Sequence, residues 1–371
     1  MNSYLLGPYQ GDRHLSIDNY FRYCQQDLPP YLPNWNFVCL RPGSSQHGYL
    51  AGIANPRVRG WNDHFLKWPL QLSRMRADIF HVVDQGLAWY RLFLQKGKVI
   101  VTVHDLINLL VMRGRLSLNA IPARRQVIVK IAIEQIKKAD AVVCVSRNTA
   151  DCVLAELGIP AKRLYVIHNI VPLVFRPVSK EERCETRKRL FPGGGPVILH
   201  VGKPSAYKNR IGVLKIFDIV QRQIPHSRLV LTSESLTAHE KSFLSNRNCA
   251  PAIQVFTPDR QEELRLLYGA CDVLVFPSLY EGFGWPSLEA MACGLPVVSS
   301  TAGSLGEVVG DAGITITDPL ASQSFADAII SVLQDQQLSA QLREAGLTRA
   351  RKFASSVLTP QLADVYRGVA A

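Results

Sequence analysis

The sequence has no run of apolar residues near the ~20 that a membrane-spanning helix needs. Its first residues, MNSYLLGPYQGDRH, lack the basic start and the long apolar stretch of a secretory signal, so none is indicated. Eight cysteines are present, yet none forms a C-x-x-C pair and no histidine cluster has zinc-site spacing. We expect reduced, mostly buried thiols, which favours a cytoplasmic protein.

Two common phosphate-binding signatures are also missing. Neither half of the chain has Gly-x-Gly-x-x-Gly after its first strand, which disfavours a dinucleotide-dependent dehydrogenase. The triplet Gly193–Gly195 precedes a strand and lacks the Gly-Lys-Ser/Thr that would follow in a phosphate loop. We therefore interpret the triplet as a turn in a linker.

The composition that is present belongs to a folded chain of more than one domain. Its 371 residues exceed the ~100–200 of an average domain, and 47% of them are apolar. The net charge is +12, and the excess lies mainly in residues 1–175, which hold 21 basic against 11 acidic side chains. Such a surface favours phosphates, nucleic acid or an acidic membrane leaflet, although a merely solvated basic surface explains it equally well.

Short runs rich in valine and isoleucine alternate with amphipathic segments along the chain. Examples are IFHVV, KVIVTV and AVVCVS in the front half and VILHVG, RLVLTS and VLVFPS in the back half. Such runs are typical of parallel strands covered by helices on both faces, so we predict an α/β fold. The alternation breaks at residues 170–196, where prolines, charges and glycines indicate a link into a second sheet.

The stretch YEGFGWPSLEA sets two carboxylates, Glu281 and Glu289, around glycines and a proline. Gly282, Gly284 and Pro286 rule out a continuous helix, so we predict a loop after the strand VLVFPS and a helix that begins at Pro286. Glu281 would lie on the loop and Glu289 at the fourth helical position, at the sheet edge where ligands bind. Carboxylates there can accept from sugar hydroxyls while backbone N–H groups face a phosphate. Alternatively, Glu289 only stabilises the start of its helix.

The longer segment FPSLYEGFGWPSLEAMACGLPVV resembles the E-x7-E segment of the retaining glycosyltransferases of family GT4. VILHVGKPSAYKNR, VTVHDL and VCVSRNTADCVLAELG extend the resemblance over most of the chain. It implies a GT-B fold, in which two Rossmann-like domains face each other across a cleft and a last helix crosses back to the first domain. The expected limits are 1–175 for the acceptor-binding domain, 176–355 for the nucleotide-sugar-binding domain and 356–371 for the last helix.

The resemblance assigns donor-binding roles to the loop and the helix start. Glu281 would bind hydroxyls of the transferred sugar, and Glu289 would accept from the ribose hydroxyls. Gly282, Phe283 and Gly284 lie between them, with the backbone N–H groups of Phe283 and Gly284 directed to the sugar and the pyrophosphate. Glu281 is not expected to act as a covalent nucleophile, since the leaving phosphate itself is thought to help deprotonate the acceptor.

The resemblance also assigns cations and first-domain residues. Lys203 and Lys208, in GKPSAYKN, would hold the pyrophosphate and neutralise the leaving group, although the family more often has arginine at the first place. His104, at the end of VIVTVH, would contact the donor sugar or position the acceptor, unless it is a structural histidine. Gly11 corresponds weakly to a glycine-rich turn against the phosphates. The nucleotide base is expected near Pro258–Arg260.

The implied activity is that of a hexosyltransferase that moves a hexose from a UDP-sugar to a saccharide acceptor. Glucose is the first guess, and the sequence resembles bacterial, including cyanobacterial, enzymes of exopolysaccharide assembly. No Asp-x-Asp pair occurs in the sequence, so we expect that no metal or other cofactor is required and that lysine cations replace the metal.

A basic segment at residues 113–138 bears on the acceptor. It has seven Lys and Arg side chains against the single acid Glu134. Its apolar residues at helical spacing are Val127, Ile128, Ile131 and Ala132. Such a segment suits an anionic membrane surface, which predicts a lipid-linked saccharide acceptor and a peripheral position on the inner face of the plasma membrane. A core-packed helix with a solvated basic face is the alternative.

Other functions stay open at this point. A nucleotide-sugar epimerase or a phosphorylase can share the two-domain fold; the epimerase would need no acceptor, and the phosphorylase would show pyridoxal phosphate absorbance. The basic front half would also suit a nucleic-acid-binding protein, with steeply salt-dependent binding. Because no known docking motif is present, nucleic acid is not an expected partner.

Overall fold

The computed structural model of the protein describes residues 1–9, 15–42, 63–233 and 235–371. The chain forms two compact units: the first contains Met1–Ile170 and Ser355–Ala371, and the second contains Val171–Ala354. The first division lies a few residues before the expected limit of 175, and the second lies beside the expected limit of 355. All eight cysteines lie in the described ranges as free thiols, and five of them are buried.

The first unit is built on a six-stranded parallel sheet. In chain order its strands are β1 (Asn2–Leu6), β2 (Asn36–Leu40), β3 (Ile79–Val82), β4 (Lys98–Val103), β5 (Ala141–Cys144) and β6 (Leu164–Val166). They lie in the spatial order β2-β1-β3-β4-β5-β6, and every neighbouring pair is parallel. Strands β3 and β5 are buried throughout, as the continuous apolar runs predict.

Helices of the first unit connect these strands. They are α1 (Leu15–Asp27), α2 (Trp68–Leu72), α3 (Ile107–Met112), α4 (Ala123–Lys137) and α5 (Arg147–Leu157). Shorter turns of other pitch are the 3-10 helices Pro29–Tyr31, Gln85–Phe93 and Ala161–Arg163 and the π-helix Asp63–Lys67. Local signals set the bounds of α5, because the Ser146 side chain accepts from the N–H of Thr149 and Gly158, at φ +65°, ends the helix.

The second unit has a parallel six-stranded sheet of its own. Its strands are β7 (Val197–Val201), β8 (Arg228–Thr232), β9 (Ile253–Phe256), β10 (Val273–Phe276), β11 (Val297–Ser300) and β12 (Ile314–Ile316). The spatial order is β12-β11-β10-β7-β8-β9, so successive strands run outward from the β7/β10 pair in both directions. In open α/β sheets ligands bind beyond the carboxyl ends of the strands at such a reversal.

Eight helices of the described ranges belong to this unit. They are α6 (Lys180–Leu190), α7 (Arg210–Gln223), α8 (Ala238–Leu244), α9 (Gln261–Ala270), α10 (Trp285–Ala292), α11 (Leu305–Val309), α12 (Ser322–Gln334) and α13 (Gln336–Arg351), with 3-10 turns at Ala206–Lys208, Ala250–Ala252 and Gly310–Ala312. The predicted linker thus contains a helix, α6, which begins with a capping box between Ser179 and Glu182. Arg183 and Arg187 of α6 both pair with Asp272, before β10, so α6 is part of the second unit.

The last helix, α14 (Ser355–Ala370), packs on the first unit, as the sequence predicts. Tyr366 is fully buried, and its hydroxyl hydrogen-bonds with Nδ1 of His81 on β3 at 2.8 Å. The ring of Trp35 meets Tyr366 edge-on at 5.8 Å. Within the described ranges, no helix combines the length and the apolar character that crossing a membrane requires.

Candidate active site

The order of strands in the second sheet brings two predicted motifs together. GKPSAYKN follows β7 and LYEGFGW follows β10, and these strands are parallel neighbours paired at Leu199 and Leu274. Because parallel neighbours end at the same edge, the two loops are adjacent although they are far apart in sequence. Lys203, Lys208 and Glu281 of the predicted donor site lie on these two loops.

The loop that holds Glu281 is fixed by backbone contacts on both sides. The N–H of Leu279 donates to the carbonyl oxygen of Tyr207 at 2.7 Å, which ties the two loops to each other. The carbonyl oxygen of Glu281 accepts from the N–H of Ser304 at 3.0 Å and from its hydroxyl at 3.1 Å. A Cβ on Gly303 would lie 2.3 Å from that oxygen, so only glycine allows this close approach. Sequence reasoning missed Ser304, because its contact with Glu281 arises only when the connection between strands brings the two residues together.

Helix α10 begins one residue earlier than the sequence predicted. Its first residue is Trp285 and Pro286 is its second, so Glu289 occupies the fifth helical position, not the fourth. Gly284 precedes the helix at φ +99°, and a Cβ there would lie 2.5 Å from Cδ2 of Leu305. The glycine therefore sets both the turn and the helix start, and proline fits the first turn because no N–H is lost from the helix ladder.

Lys208 and Glu281 form a nearly buried ion pair. Nζ of Lys208 donates to Oε1 of Glu281 at 2.7 Å, and the two side chains are 11% and 9% exposed. The ammonium group also lies 4.6 Å from the ring centre of Phe276 and 5.3 Å from that of Tyr207. A Cβ on Gly202 would lie 3.2 Å from Cδ of Lys208, so the glycine after β7 makes room for the lysine stem. The structure thus places a cation beside a carboxylate in a site of low polarity.

Asn209 joins the two loops and starts helix α7, a role that sequence reasoning missed. It has φ +51° and its side chain accepts from the N–H of Gly212 at 3.2 Å. Its amide nitrogen donates to the carbonyl oxygens of Pro277 at 3.1 Å and Pro319 at 2.9 Å. An asparagine just before a helical pattern is a cap signal, but its bonds to distant prolines are visible only in the fold.

Glu289 is buried at 6% exposure, and its Oε2 accepts from the hydroxyl of Tyr268 at 2.9 Å. Burial raises the pKa of this carboxyl to about 7, although the Tyr268 hydrogen bond and the nearby Lys208 cation both lower it. Glu289 therefore changes charge near neutral pH. Tyr268 had no sequence signal of its own, since a tyrosine on an amphipathic helix usually belongs to the core.

The remaining residues assigned to the second unit are placed as follows. Gly282 and Phe283 are buried, and the Phe283 ring packs edge-on against Trp285 at 5.8 Å. Lys203 is exposed just after β7. Arg260 follows the edge strand β9, its side chain is 83% exposed, and it lies 4.0 Å from Glu263. Two strands separate its strand from β10 in the sheet order. The assigned roles of these residues stay predictions.

In the first unit, His104 follows β4, as predicted, and is held by several contacts. Its Nε2 donates to the carbonyl oxygen of Val83 at 2.9 Å, and its N–H donates to Oε1 of Gln85 at 2.8 Å. Its ring meets Tyr20 edge-on at 5.0 Å. Burial lowers the pKa of His104, so the ring is neutral, with Nδ1 as its acceptor nitrogen. Gly11 lies outside the described residues.

Comparison with known proteins gives the family. A model of glycosyl transferases group 1 matches residues 182–349, and a model of glycosyltransferase family 4 matches residues 40–175. Together the two models span most of both units. This chain belongs to the family 4 glycosyltransferases. Within the described ranges, no three His, Cys, Asp or Glu side chains form a group that could hold a metal ion.

Curated relatives of this glycosyltransferase match over different lengths. D-inositol 3-phosphate glycosyltransferase of Thermobispora bispora is 29% identical, and the match covers 96% of this chain and 86% of that protein. O-antigen chain mannosyltransferase B of Escherichia coli is 43% identical over 112 residues, which is 30% of this chain and 29% of that protein. The match to this second relative thus spans less than a third of that protein's length.

Solved structures share the fold at low sequence identity. HepE of Anabaena, in complex with UDP and glucose, has a TM-score of 0.76 at 17% identity, with 99% of each chain covered. Sucrose-phosphate synthase from Thermosynechococcus elongatus has a TM-score of 0.72 at 18% identity, with 100% of this chain and 99% of that chain covered. The GT-B fold expected for this glycosyltransferase is thereby confirmed.

Proposed function

We propose that this glycosyltransferase is a retaining enzyme that moves a hexose from a UDP-sugar to a saccharide acceptor. The observation that supports this most is the buried cation of Lys208, paired with Glu281 and close enough to Glu289 to affect its pKa. Sugar hydroxyls, diphosphate and ribose hydroxyls of a nucleotide sugar are complementary to a carboxylate, a cation and a second carboxylate. The names of the relatives and of the Anabaena structures with UDP-glucose support the same class.

In this proposal each group at the edge of the second sheet has one task. Glu281 accepts from hydroxyls of the sugar, while Lys208 and Lys203 neutralise the charge that grows on the departing diphosphate. The N–H groups of Phe283 and Gly284, ahead of helix α10, add to that field. The bond between the anomeric carbon and the phosphate oxygen breaks as the acceptor oxygen bonds to the same face. The acceptor proton passes to the leaving phosphate, and no metal is required.

Glucose is the first candidate for the transferred sugar. Mannose is the second candidate, because the 43% identity over 112 residues is to a protein named as a mannosyltransferase. Assembly of an exopolysaccharide, an envelope polysaccharide or another saccharide chain is the proposed setting. An epimerase or a phosphorylase has less support, since the matched relatives include several glycosyltransferases.

Calorimetric titration with UDP, GDP, UDP-glucose and GDP-mannose in the presence of EDTA tests the donor. We expect micromolar binding of UDP and UDP-glucose that survives EDTA and weakens in Glu289→Ala. Tighter binding of GDP and GDP-mannose would favour the mannosyl candidate. Absence of binding by every nucleotide would overturn the proposed function, and binding that requires a metal would overturn its metal independence.

We further propose that the acceptor is lipid-linked and that the first unit touches an anionic membrane. The basic segment is only partly helical: α4 begins at Ala123, and it buries Ala132, Ile133 and Ile136. Val127 and Ile131, which the sequence placed on one apolar stripe with Ala132, are instead 57% and 38% exposed. Arg124, Arg125 and Lys130 are exposed beside them, so α4 presents apolar and basic side chains together.

Neighbouring elements add to this surface. The 3-10 helix Gln85–Phe93 contacts both α4 and α2, and it exposes Leu92 at 54%. Leu66, on the π-helix before α2, and Leu70, on α2, are 53% and 62% exposed. Large apolar side chains exposed on adjoining elements suit insertion at a membrane interface better than a merely solvated helix face.

Co-sedimentation with vesicles tests the membrane contact. We expect binding at low salt to vesicles that contain phosphatidylglycerol, weak binding to phosphatidylcholine alone, and loss of binding in the double variant Val127→Ser and Ile131→Ser. Leu173→Ser removes an apolar side chain that is 87% exposed in the second unit and is the matched control. No binding of the wild-type protein to anionic vesicles would overturn the idea.

A further inference from the structure

Tyr268 is a buried polar residue that the proposed mechanism does not yet use. It lies on helix α9 with no exposed surface, and its ring meets Phe175 edge-on at 5.9 Å. Its hydroxyl donates to Oε2 of Glu289 at 2.9 Å. A buried tyrosine hydroxyl needs such a partner, but here the partner is one of the two carboxylates that the proposed function requires.

The bond divides the two oxygens of the Glu289 carboxylate between different tasks. Oε2 is occupied from the protein side by Tyr268. Oε1 has no hydrogen bond to any residue in the described ranges. It is not fully buried, so it belongs to the small exposed part of the side chain. One oxygen is therefore held while the other faces outward.

We propose that Tyr268 is a positioning residue for nucleotide recognition, which fixes the Glu289 carboxylate so that Oε1 accepts from the ribose hydroxyls. The inference rests on the proposed function, since it assumes that a nucleoside diphosphate binds at this edge. Tyr268 itself does not touch the nucleotide. Its contribution is orientation: without the hydroxyl, the carboxylate rotates among several positions, and the directed hydrogen bond to the ribose is lost.

The same hydroxyl acts on the charge of Glu289. Burial raises the pKa of Glu289, and the hydrogen bond from Tyr268 is the larger of two effects that lower it. Removal of the hydroxyl should move this pKa further upward, so that more of the carboxyl is protonated at neutral pH. The pH at which ribose recognition is lost should therefore shift upward in a variant without the hydroxyl.

Titrations of Tyr268→Phe with UDP and with 2′,3′-dideoxy-UDP, each at several pH values, test the proposal. The wild-type protein should bind UDP more tightly than the dideoxy analogue. In the variant this ratio of affinities should fall about tenfold, the size expected for one hydrogen bond to a charged group. Binding of the dideoxy analogue should change little. Tyr268→Met, which fills similar space without a hydroxyl, should behave in the same way if Tyr268→Phe folds poorly.

The matched control is Tyr366→Phe, which removes another buried, hydrogen-bonded hydroxyl in the first unit and should keep the full preference. The inference is overturned if Tyr268→Phe keeps the UDP preference and the wild-type pH profile. It is equally overturned if the variant loses both ligands in the same proportion, because that result indicates a structural role. If the wild-type protein binds neither nucleotide, the proposed function itself has failed.

Discussion

Replacement of Glu281 by glutamine separates its expected role in sugar binding from its effect on Lys208. The change keeps the size of the side chain and removes its charge from a pair joined at 2.7 Å. At this distance the attraction is about 6 kcal/mol for an effective dielectric constant of about 20, and desolvation of the two ions offsets most of it. Loss of one partner from a buried pair costs about 3–5 kcal/mol.

Two features reduce that cost at this site. Glutamine keeps an oxygen that accepts from the ammonium group, and the rings of Phe276 and Tyr207 lie 4.6 and 5.3 Å from it. A cation over aromatic rings gains about 0.5–2 kcal/mol. We therefore expect Glu281→Gln to lower the local stability by about 1–3 kcal/mol, which corresponds to amide exchange that is about 5- to 150-fold faster.

Hydrogen exchange measured on the peptide that contains residue 281 checks this magnitude. Asp364→Asn is the control, because it removes the acid of an exposed pair with Arg367, joined at 2.5 Å, and should change stability by less than about 0.5 kcal/mol. Binding and activity give the second test. UDP lacks the transferred hexose and should bind the Glu281→Gln variant at least as tightly as wild type, since Lys208 no longer has a competing anion.

Sugar transfer from UDP-glucose should fall by at least about a hundredfold in the same variant, because charged hydrogen bonds to the sugar are lost at the reacting centre. UDP binding weakened more than tenfold, with transfer preserved, would refute the reasoning. It would mean that Glu281 supports the nucleotide and not the sugar.

Three further predictions concern pH and backbone geometry. Because the pKa of Glu289 is raised from 4.5 to about 7 on folding, stability should fall by about 3 kcal/mol as pH rises from 4.5 to 7, and denaturation of Glu289→Gln should lack this slope. Gly284→Ala should cost about 1–3 kcal/mol and shift the thermal midpoint downward, since φ is +99° and the new Cβ would meet Leu305. His104→Asn should lower transfer while UDP binding is kept, and the lowered pKa of His104 predicts that any histidine titration in the wild-type rate lies below the usual 6.5; an unaltered rate in the variant would indicate a structural histidine.

Much of the fold followed from local patterns in the sequence. The runs of valine and isoleucine marked buried parallel strands, because only strands covered on both faces are apolar throughout. The glycines and the proline around Glu281 marked a loop and a helix start, with an error of one residue in where the helix begins. The apolar pattern did not identify the buried face of helix α4, since Val127 and Ile131 have the same spacing as buried neighbours yet are exposed.

By itself the sequence determined the candidates for the predicted site: two carboxylates, two lysines and a histidine, each in a segment that follows a predicted strand. The tertiary structure decided which of them meet. Lys208 and Glu281 are 73 positions apart, and they pair because β7 and β10 are neighbours at the point where the strand order reverses. Tyr268 meets Glu289 by the same kind of long-range packing. Such contacts depend on strand order and helix placement, which a single sequence encodes only through the whole fold.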